Sequence, residues 1–370
     1  MSCSLTSNIS FITSAIIASG LAVTLTACQQ SPKYGYIEGE TMGTSYHIRY
    51  EMPKDGDEQA ILKSIDDRLA SINHSMSTYQ DDSLISTFNR QPANTPMQID
   101  ADFVTVLDNA KTIYQQSGGA FDPTVMPLIE LWGFGKTMTI DRLQSPPNPE
   151  DIAAAKALID FDAVILEHDQ QQLTKTKDGV ALDFSAIAKG YGVDVIAQVL
   201  YEQYHINNYM VEIGGEVATS GVNAQHKPWQ IAIDAPVLDS SVDSRQTISI
   251  IRQPTSTNQL HLATSGNYRN SVIFDGKRYS HTIDPLTGNP IVGGAPSVSV
   301  VADSVMLADA WATALTAMPY SQALQLATSQ NLAALFIVPK QASVTTHTIK
   351  DWQVVETPAM QALRSDSQGQ

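Results

Sequence analysis

A chain of 370 residues with 43% hydrophobic and 16% charged residues carries enough apolar material to bury a full core, which excludes a disordered chain. Its 38 acidic residues outnumber 22 basic ones for a net charge of −16, and no basic run could track a phosphate backbone, which argues against a nucleic-acid partner. The two cysteines, Cys3 and Cys28, both lie near the N-terminus, so the body of the chain has no thiolate metal site and no disulfide framework.

Ile9 to Leu25 is an apolar stretch with the character of a secretory signal core, and Leu25-Thr26-Ala27-Cys28 reads as a lipoprotein box. In such a box the cysteine is diacylated and becomes the new N-terminus, and two acyl chains meet the requirement for stable anchoring. Residues 1–27 are therefore read as a signal peptide, 28–36 as a lipidated N-terminus and linker, 37–355 as one folded domain and 356–370 as a flexible tail. The expected location is the bacterial envelope, lipid-anchored and facing the periplasm. Gln29 after the cysteine, rather than Asp, points to the outer membrane. No Lys or Arg precedes the apolar stretch, so a plain transmembrane anchor is the alternative.

Tyr46 to Tyr50 alternates as a strand, whereas Ile61, Ile65, Leu69 and Ile72 recur at helical spacing over 57–72. Phe103, Leu107, Ala110 and Tyr114 predict a second amphipathic helix. The three prolines of Gln144 to Pro149 predict a surface loop, followed by a helix from Pro149 to about Ile159. Asn208 to Ile213, Trp229 to Ile233, Ser271 to Phe274 and Pro296 to Val301 are short β-rich runs, so the second half carries much of a sheet. Asp303 to Met318 predicts a helix with Leu307, Trp311, Leu315 and Met318 on its apolar stripe. The polar residues after Glu356 are expected to fray.

Nucleotide and hydrolase signatures are missing: there is no G-x-G-x-x-G, no G-x-x-x-x-G-K-[ST], no H-E-x-x-H and no G-x-S-x-G. What remains is a series of polar clusters set among glycines. In order they are Glu40 to Thr44, Met76 to Tyr79, Gly119 to Thr124, Trp132 to Gly135, Asp183 to Tyr191, Glu212 to Glu216, Thr264 to Gly266, His281 to Gly288 and Ala308 to Thr313.

Each cluster has a plain structural reading as well. Phe121-Asp122-Pro123-Thr124 suits an Asx turn, and Gly214-Gly215 suits the end of a strand. Lys189 reads as a solvated charge or a phosphate-facing one. His281 suits a structural imidazole, and Met42 and Tyr79 suit core or lobe-interface positions. Asp309 and Thr313 stand i, i+4 on one helix face, so their oxygens project together. A hard cation such as Mg²⁺ would take that pair with a carbonyl, and a cap or solvent face is the alternative.

Together and in this order, the clusters resemble the FAD:protein FMN transferase family, also called ApbE-like, from about Glu40 to Thr316. The resemblance implies that Met42, Tyr79, Ala120, Phe121, Asp122, Asp183, Lys189 and Ile283 contact FAD. It also implies that the carbonyl of Ala186, with Asp309 and Thr313, holds Mg²⁺. The implied reaction moves the FMN half of FAD onto a Thr or Ser hydroxyl of a target protein, with AMP leaving. Acceptors would be flavoprotein subunits of membrane respiratory complexes. In a protein of net charge −16, a pyrophosphate needs a cation and a local lysine to hold it. His281 is the candidate base, because imidazole exchanges a proton near neutral pH, with Asp284 orienting it or the turn. The implied fold is α+β, two-lobed and T-fold-related, with mostly antiparallel sheets and FAD in the inter-lobe cleft. Two other outcomes stay open: Mg-dependent hydrolysis of FAD to FMN and AMP, or a lipid-anchored FAD-binding protein without catalysis.

Overall fold

The computed structural model describes residues 33–135, 145–237, 245–267, 271–274, 277–341 and 348–367; the predicted signal segment and Cys28 lie outside them. β1 (Tyr34–Thr41) and β2 (Thr44–Glu51) form an antiparallel hairpin whose alternation buries Tyr46, Ile48 and Tyr50. Gly39 and Gly35 face Tyr46 and Tyr50, and a Cβ at either glycine would come within 2.7 Å of the opposite ring. The aromatic rings therefore fill the space the glycines leave. The linker expected over 28–36 gives way to strand at Tyr34, which pairs with Glu51 and donates its hydroxyl to the Val222 carbonyl. The folded body thus begins three residues before Ile37, because these pairings satisfy its backbone.

α1 (Glu58–Met76) starts at the Asp57 cap and buries the predicted face of Ile61, Ile65, Leu69 and Ile72. α2 (Leu84–Arg90), β3 (Met97–Gln98), α3 (Ala101–Gln116), α4 (Met126–Leu131) and α5 (Pro149–Lys156) follow. Next come β4 (Val164–Glu167), β5 (Gln172–Lys175) and α6 (Ala188–Gln198). The strand-rich part holds β6 (Tyr209–Ile213), β7 (Glu216–Ser220), β8 (Gln230–Asp234), β9 (Thr247–Arg252) and β10 (Gln259–Gly266). It continues through β11 (Ser271–Phe274), β12 (Lys277–Ser280), β13 (Ile283–Asp284), β14 (Asn289–Pro290) and β15 (Ser297–Val301). The chain ends with α7 (Val305–Thr316), α8 (Tyr320–Ser329), β16 (Ala333–Pro339), β17 (Trp352–Glu356) and α9 (Pro358–Asp366).

Eight strands join in the order β1-β2-β6-β7-β10-β15-β16-β17, every neighbouring pair antiparallel. The fold is α+β with mostly antiparallel sheets, as expected. The predicted strand at Trp229 to Ile233 is β8, which pairs with β9 rather than joining the main sheet. The largest core lies between the helices and this sheet, and a second cluster holds Leu262 and Ile337 of the sheet with Ile251 of β9 and Met360 of α9. A third, small cluster of Leu128, Trp132 and Ile283 lies under the β13–β14 hairpin.

Two expectations change here. α7 has no solvent face: Asp309 is only 3% exposed, and Leu307 and Thr313 alone are half-buried. Its alanines let β10, β15 and α6 approach closely, and a Cβ on Gly190 of α6 would stand 2.4 Å from the Val305 carbonyl. The tail expected to fray from Glu356 instead forms α9. Thr357 caps it, Met360 is fully buried, Arg364 pairs with Glu356, and Asp366 accepts from Ser256. The polar composition of this segment reflects the outer face of a docked helix.

Candidate active site

Two adjoining cavities lie at the end of the main sheet marked by the β6–β7 turn. One, of about 360 Å³, is lined by Ala120, Phe121, Asp122, Asp183, Ala186, Lys189, Glu216, His281, Ile283, Asp309 and Thr313. The other, of about 580 Å³, is lined by Met42, Gly43, Met76 to Gln80 and Ala188, and shares Asp183, Ser185, Lys189 and His281 with the first. Both sizes are those of small-molecule sites. Every residue expected to contact FAD, hold the metal or act as base lines one cavity or the other, whereas Asp284 lines neither and Cys28 is outside the described residues.

Two hairpin tips shape the floor. Met42 and Gly43 turn β1 into β2 at φ +50° and +73°, and Gly214 and Gly215 turn β6 into β7 at +60° and +104°. The Gly214 N–H donates to the Ser45 carbonyl at 3.0 Å, tying the tips together. A Cβ at Gly214 would stand 2.8 Å from Thr44 Cγ2 and 3.3 Å from Lys189 Cδ. Gly214 therefore does more than end a strand: it makes room for the lysine stem.

Lys189 is not a solvated surface charge. Its Nζ stands 3.3 Å from Glu216 Oε1 and 3.6 Å from Asp309 Oδ2, with the side chain 24% exposed. Burial opposes the ammonium, but the Asp309 and Glu216 carboxylates outweigh it and hold its pKa above the ordinary lysine value. Glu216 feels burial most. Its pKa is pushed up to about 8, with the Asp309 charge adding to the rise and Lys189 opposing it. Asp309 Oδ2 accepts the Gly190 N–H at 3.1 Å, which docks α7 on the first turn of α6.

Two buried carboxylates thus face one ammonium, and Glu216 Oε2 is buried without a hydrogen-bond partner among the described residues. Once Glu216 ionises, such an arrangement leaves negative charge for a cation to neutralise. Asp309, Thr313 and Ala186 line the same cavity, and a carboxylate, a hydroxyl and a carbonyl are hard oxygen donors of the kind Mg²⁺ takes. Among the described residues no three His, Cys, Asp or Glu side chains gather for a metal. One carboxylate, one hydroxyl and one carbonyl would leave a Mg²⁺ ion positions for water and phosphate oxygens.

The remaining walls combine structure with access. Asp122 Oδ1 accepts the Thr124 N–H at 2.8 Å and its hydroxyl at 2.6 Å, so the Asx turn is real, yet the turn also forms a cavity wall. Burial raises the pKa of Asp122, and likewise that of Asp183, whose Oδ1 accepts the Ser185 N–H at 2.8 Å. Tyr79 is 67% exposed, which overturns its core or interface reading, while Met42 packs half-buried against the main core. His281 is half-buried, its ring 6.3 Å from that of Phe134. Of the two roles considered for Asp284, hydrogen bonds support the turn: it accepts from the Leu286 N–H and the Thr287 hydroxyl, both at 2.9 Å.

Sequence reasoning named the Glu212 to Glu216 cluster without singling out Glu216. A charged residue placed immediately after a Gly-Gly hairpin tip was the available signal.

The chain is similar to known proteins over nearly its whole length. Residues 42–336 match the ApbE family. A protein of Haemophilus influenzae named FAD:protein FMN transferase is 40% identical over 332 residues, 88% of this chain and 92% of that relative. One of the same name from Vibrio cholerae is 38% identical, covering 87% and 93%. Among solved structures, the flavin transferase ApbE from Vibrio cholerae superposes with a TM-score of 0.76 at 34% identity, covering 90% of this chain and 99% of that one. The apo flavinyl transferase ApbE of Pseudomonas stutzeri gives 0.76 at 31% identity, covering 90% and 97%. With the cavity's residues in the order the resemblance required, and relatives of matching length, this chain belongs to the ApbE family.

Proposed function

We propose that this protein transfers the FMN moiety of FAD to a Thr or Ser hydroxyl of an acceptor protein, releasing AMP, with a divalent cation such as Mg²⁺ bound at Asp309, Thr313 and the Ala186 carbonyl. The observation that carries this reading is the buried group of Lys189, Glu216 and Asp309 in a cavity that adjoins a second one walled by Met42 and Tyr79. Phosphates and a cation fit the first, and a flat ring fits against the exposed Tyr79 in the second. The names of the relatives supply the substrate and the direction of transfer.

The acceptor hydroxyl oxygen bonds to the FMN-side phosphorus while the bond from that phosphorus to the oxygen of the AMP phosphate breaks. AMP leaves with the electron pair, and FMN stays on the acceptor as a phosphoester. His281 lines both cavities and takes the hydroxyl proton. Lys189, held charged by its two carboxylates, stabilises the pyrophosphate oxygens. The cation, when bound, supplies charge neutralisation at the same oxygens. Asp183 and the Asp122 turn wall the site and limit water.

Acceptors are expected to be flavoprotein subunits of membrane respiratory complexes exposed to the compartment the enzyme faces. We also place the enzyme on the periplasmic side of the bacterial envelope through a lipid on Cys28. The lipoprotein box at Leu25 to Cys28 supports this. Wild-type protein from cells fed a fatty-acid analogue should carry the label and Cys28→Ala should not; an unlabelled wild-type chain would refute the lipid anchor.

The deciding experiment incubates the protein with FAD and Mg²⁺, with and without an acceptor subunit, and follows AMP release and in-gel flavin fluorescence. Labelled acceptor, lost in Asp309→Ala, is the expected result. AMP and free FMN with no labelled acceptor would favour hydrolysis, and bound FAD without AMP release would favour a carrier.

A further inference from the structure

Lys175, at the end of β5, is 1% exposed, and among the described residues no carboxylate stands within ion-pair distance of it. Burying an ammonium costs free energy that an apolar side chain would not incur. The compensation lies in what its N–H groups reach: Nζ donates to the Asn89 carbonyl at 2.9 Å and to the Val180 carbonyl at 2.8 Å, with the Phe88 ring centroid 5.3 Å away.

Asn89, on α2, completes the arrangement. Its side-chain N–H donates to the Leu182 carbonyl at 2.8 Å, and its side-chain oxygen accepts the Leu182 N–H at 2.7 Å. The Asp183 N–H then donates to the Pro123 carbonyl at 2.7 Å. Residues 180, 182 and 183 are therefore each held by a different part of the chain: β5, α2 and the loop that carries Ala120 to Pro123. The wall containing Asp183, Ser185, Ala186 and Lys189 begins at that point.

We infer that Lys175, acting with Asn89, is a positioning residue that fixes segment 180–183 and so sets the two cavity walls at Ala120–Pro123 and Asp183–Lys189 against each other. Neither Lys175 nor Asn89 lines either of the two site cavities, so any effect passes through the segment they hold. The consequence for flavin affinity rests on the function proposed above; the consequence for the segment itself does not.

The test uses the full chain with Lys175→Met, Asn89→Ala and a control, Phe336→Leu, which trims the main core in β16 without touching either cavity. Backbone hydrogen exchange by mass spectrometry and FAD affinity by flavin fluorescence, without divalent cation, are read together with Tm. Lys175→Met should speed exchange in peptides spanning 119–124 and 181–190 by about tenfold or more, leave the β16 peptides unchanged, and weaken FAD binding about tenfold. Phe336→Leu should lower Tm while leaving FAD affinity within about twofold. Unchanged exchange in 181–190, or a rise spread evenly over the molecule as in the control, overturns the inference. Should Lys175→Met not fold, Asn89→Ala carries the same comparison, since it removes both Leu182 bonds and strands no buried charge. If the wild-type chain binds FAD neither without nor with Mg²⁺, the functional proposal fails alone, and the exchange pattern still decides the positioning role.

Discussion

His281 and Glu216 bear on the chemistry in different ways, and single substitutions separate them. His281→Ala should leave FAD binding intact and reduce flavin transfer by about two to four orders of magnitude, the usual scale for a lost general base. Activity within a few-fold of wild type, measured as labelled acceptor, would move the base elsewhere. Glu216→Gln removes the closer of the two carboxylates around Lys189, so the ammonium turns fully to Asp309. Mg²⁺ affinity, titrated calorimetrically without FAD, should then fall about tenfold, equal to about 1.4 kcal/mol. Unchanged or tighter Mg²⁺ binding would take Glu216 out of the cation's field. These two residues also show what the sequence reveals at this scale. His281 and Lys189 were legible because each sits in a glycine-bearing cluster of unusual composition, and Asp309 because it stands i, i+4 from Thr313. Glu216 was not, because burial and an unpartnered oxygen are properties of neighbours distant in sequence.

Local periodicity specifies single elements well and their packing poorly. α1 and α3 follow the 3.6-residue apolar spacing within a few residues of the expected ends, and β11 matches Ser271 to Phe274 as read. β16, Ala333 to Pro339, escaped notice because a short continuous apolar run fits a buried strand or part of a buried helix equally well. α9 was misread because the segment is polar on average, although Met360 and Leu363 stand i, i+3 on the face that docks. The order of the eight strands depends on pairings between distant residues, which no local pattern encodes. The contact between α6 and α7 belongs to the same class, and it sets the distance between Lys189 and Asp309. Gly190→Ala would push a methyl to 2.4 Å from the Val305 carbonyl and 2.7 Å from the Met306 Cα, both backbone atoms that cannot swing away. The expected loss is about 1–3 kcal/mol by denaturant unfolding, the range for overpacked sites. A loss under about 0.5 kcal/mol would mean that the helices have room to spare.

At the scale of the whole molecule, acidity and burial act in the same direction. Burial raises the pKa of Asp122, Asp183 and Asp194 above the ordinary carboxylate value, and that of Glu216 to about 8. Each group binds its proton more tightly folded than unfolded, so between the unfolded and folded pKa values the native state holds more protons. Stability must therefore fall as pH rises through that window. The net charge of −16 adds self-repulsion that grows in the same direction. Asp102 works oppositely. Burial alone would raise its pKa, but hydrogen bonds from Arg68 and Tyr191 hold it below the ordinary aspartate value, so its contribution is present at neutral pH and lost only in strong acid. For the metal-free protein, Tm should decline from about pH 5.5 to about pH 8.5, with Glu216→Gln flattening the slope because its amide cannot ionise. A flat or rising profile in the wild-type chain would show that Glu216 is ionised at no cost, paired by Lys189 alone. Saturating Mg²⁺ should raise Tm most at the alkaline end, because a ligand that binds only the ionised native site stabilises it by mass action where that ionisation costs stability. Under the proposed function, the buried negative charge that weakens the metal-free fold would draw the cation in, and the cation with Lys189 would then hold the pyrophosphate.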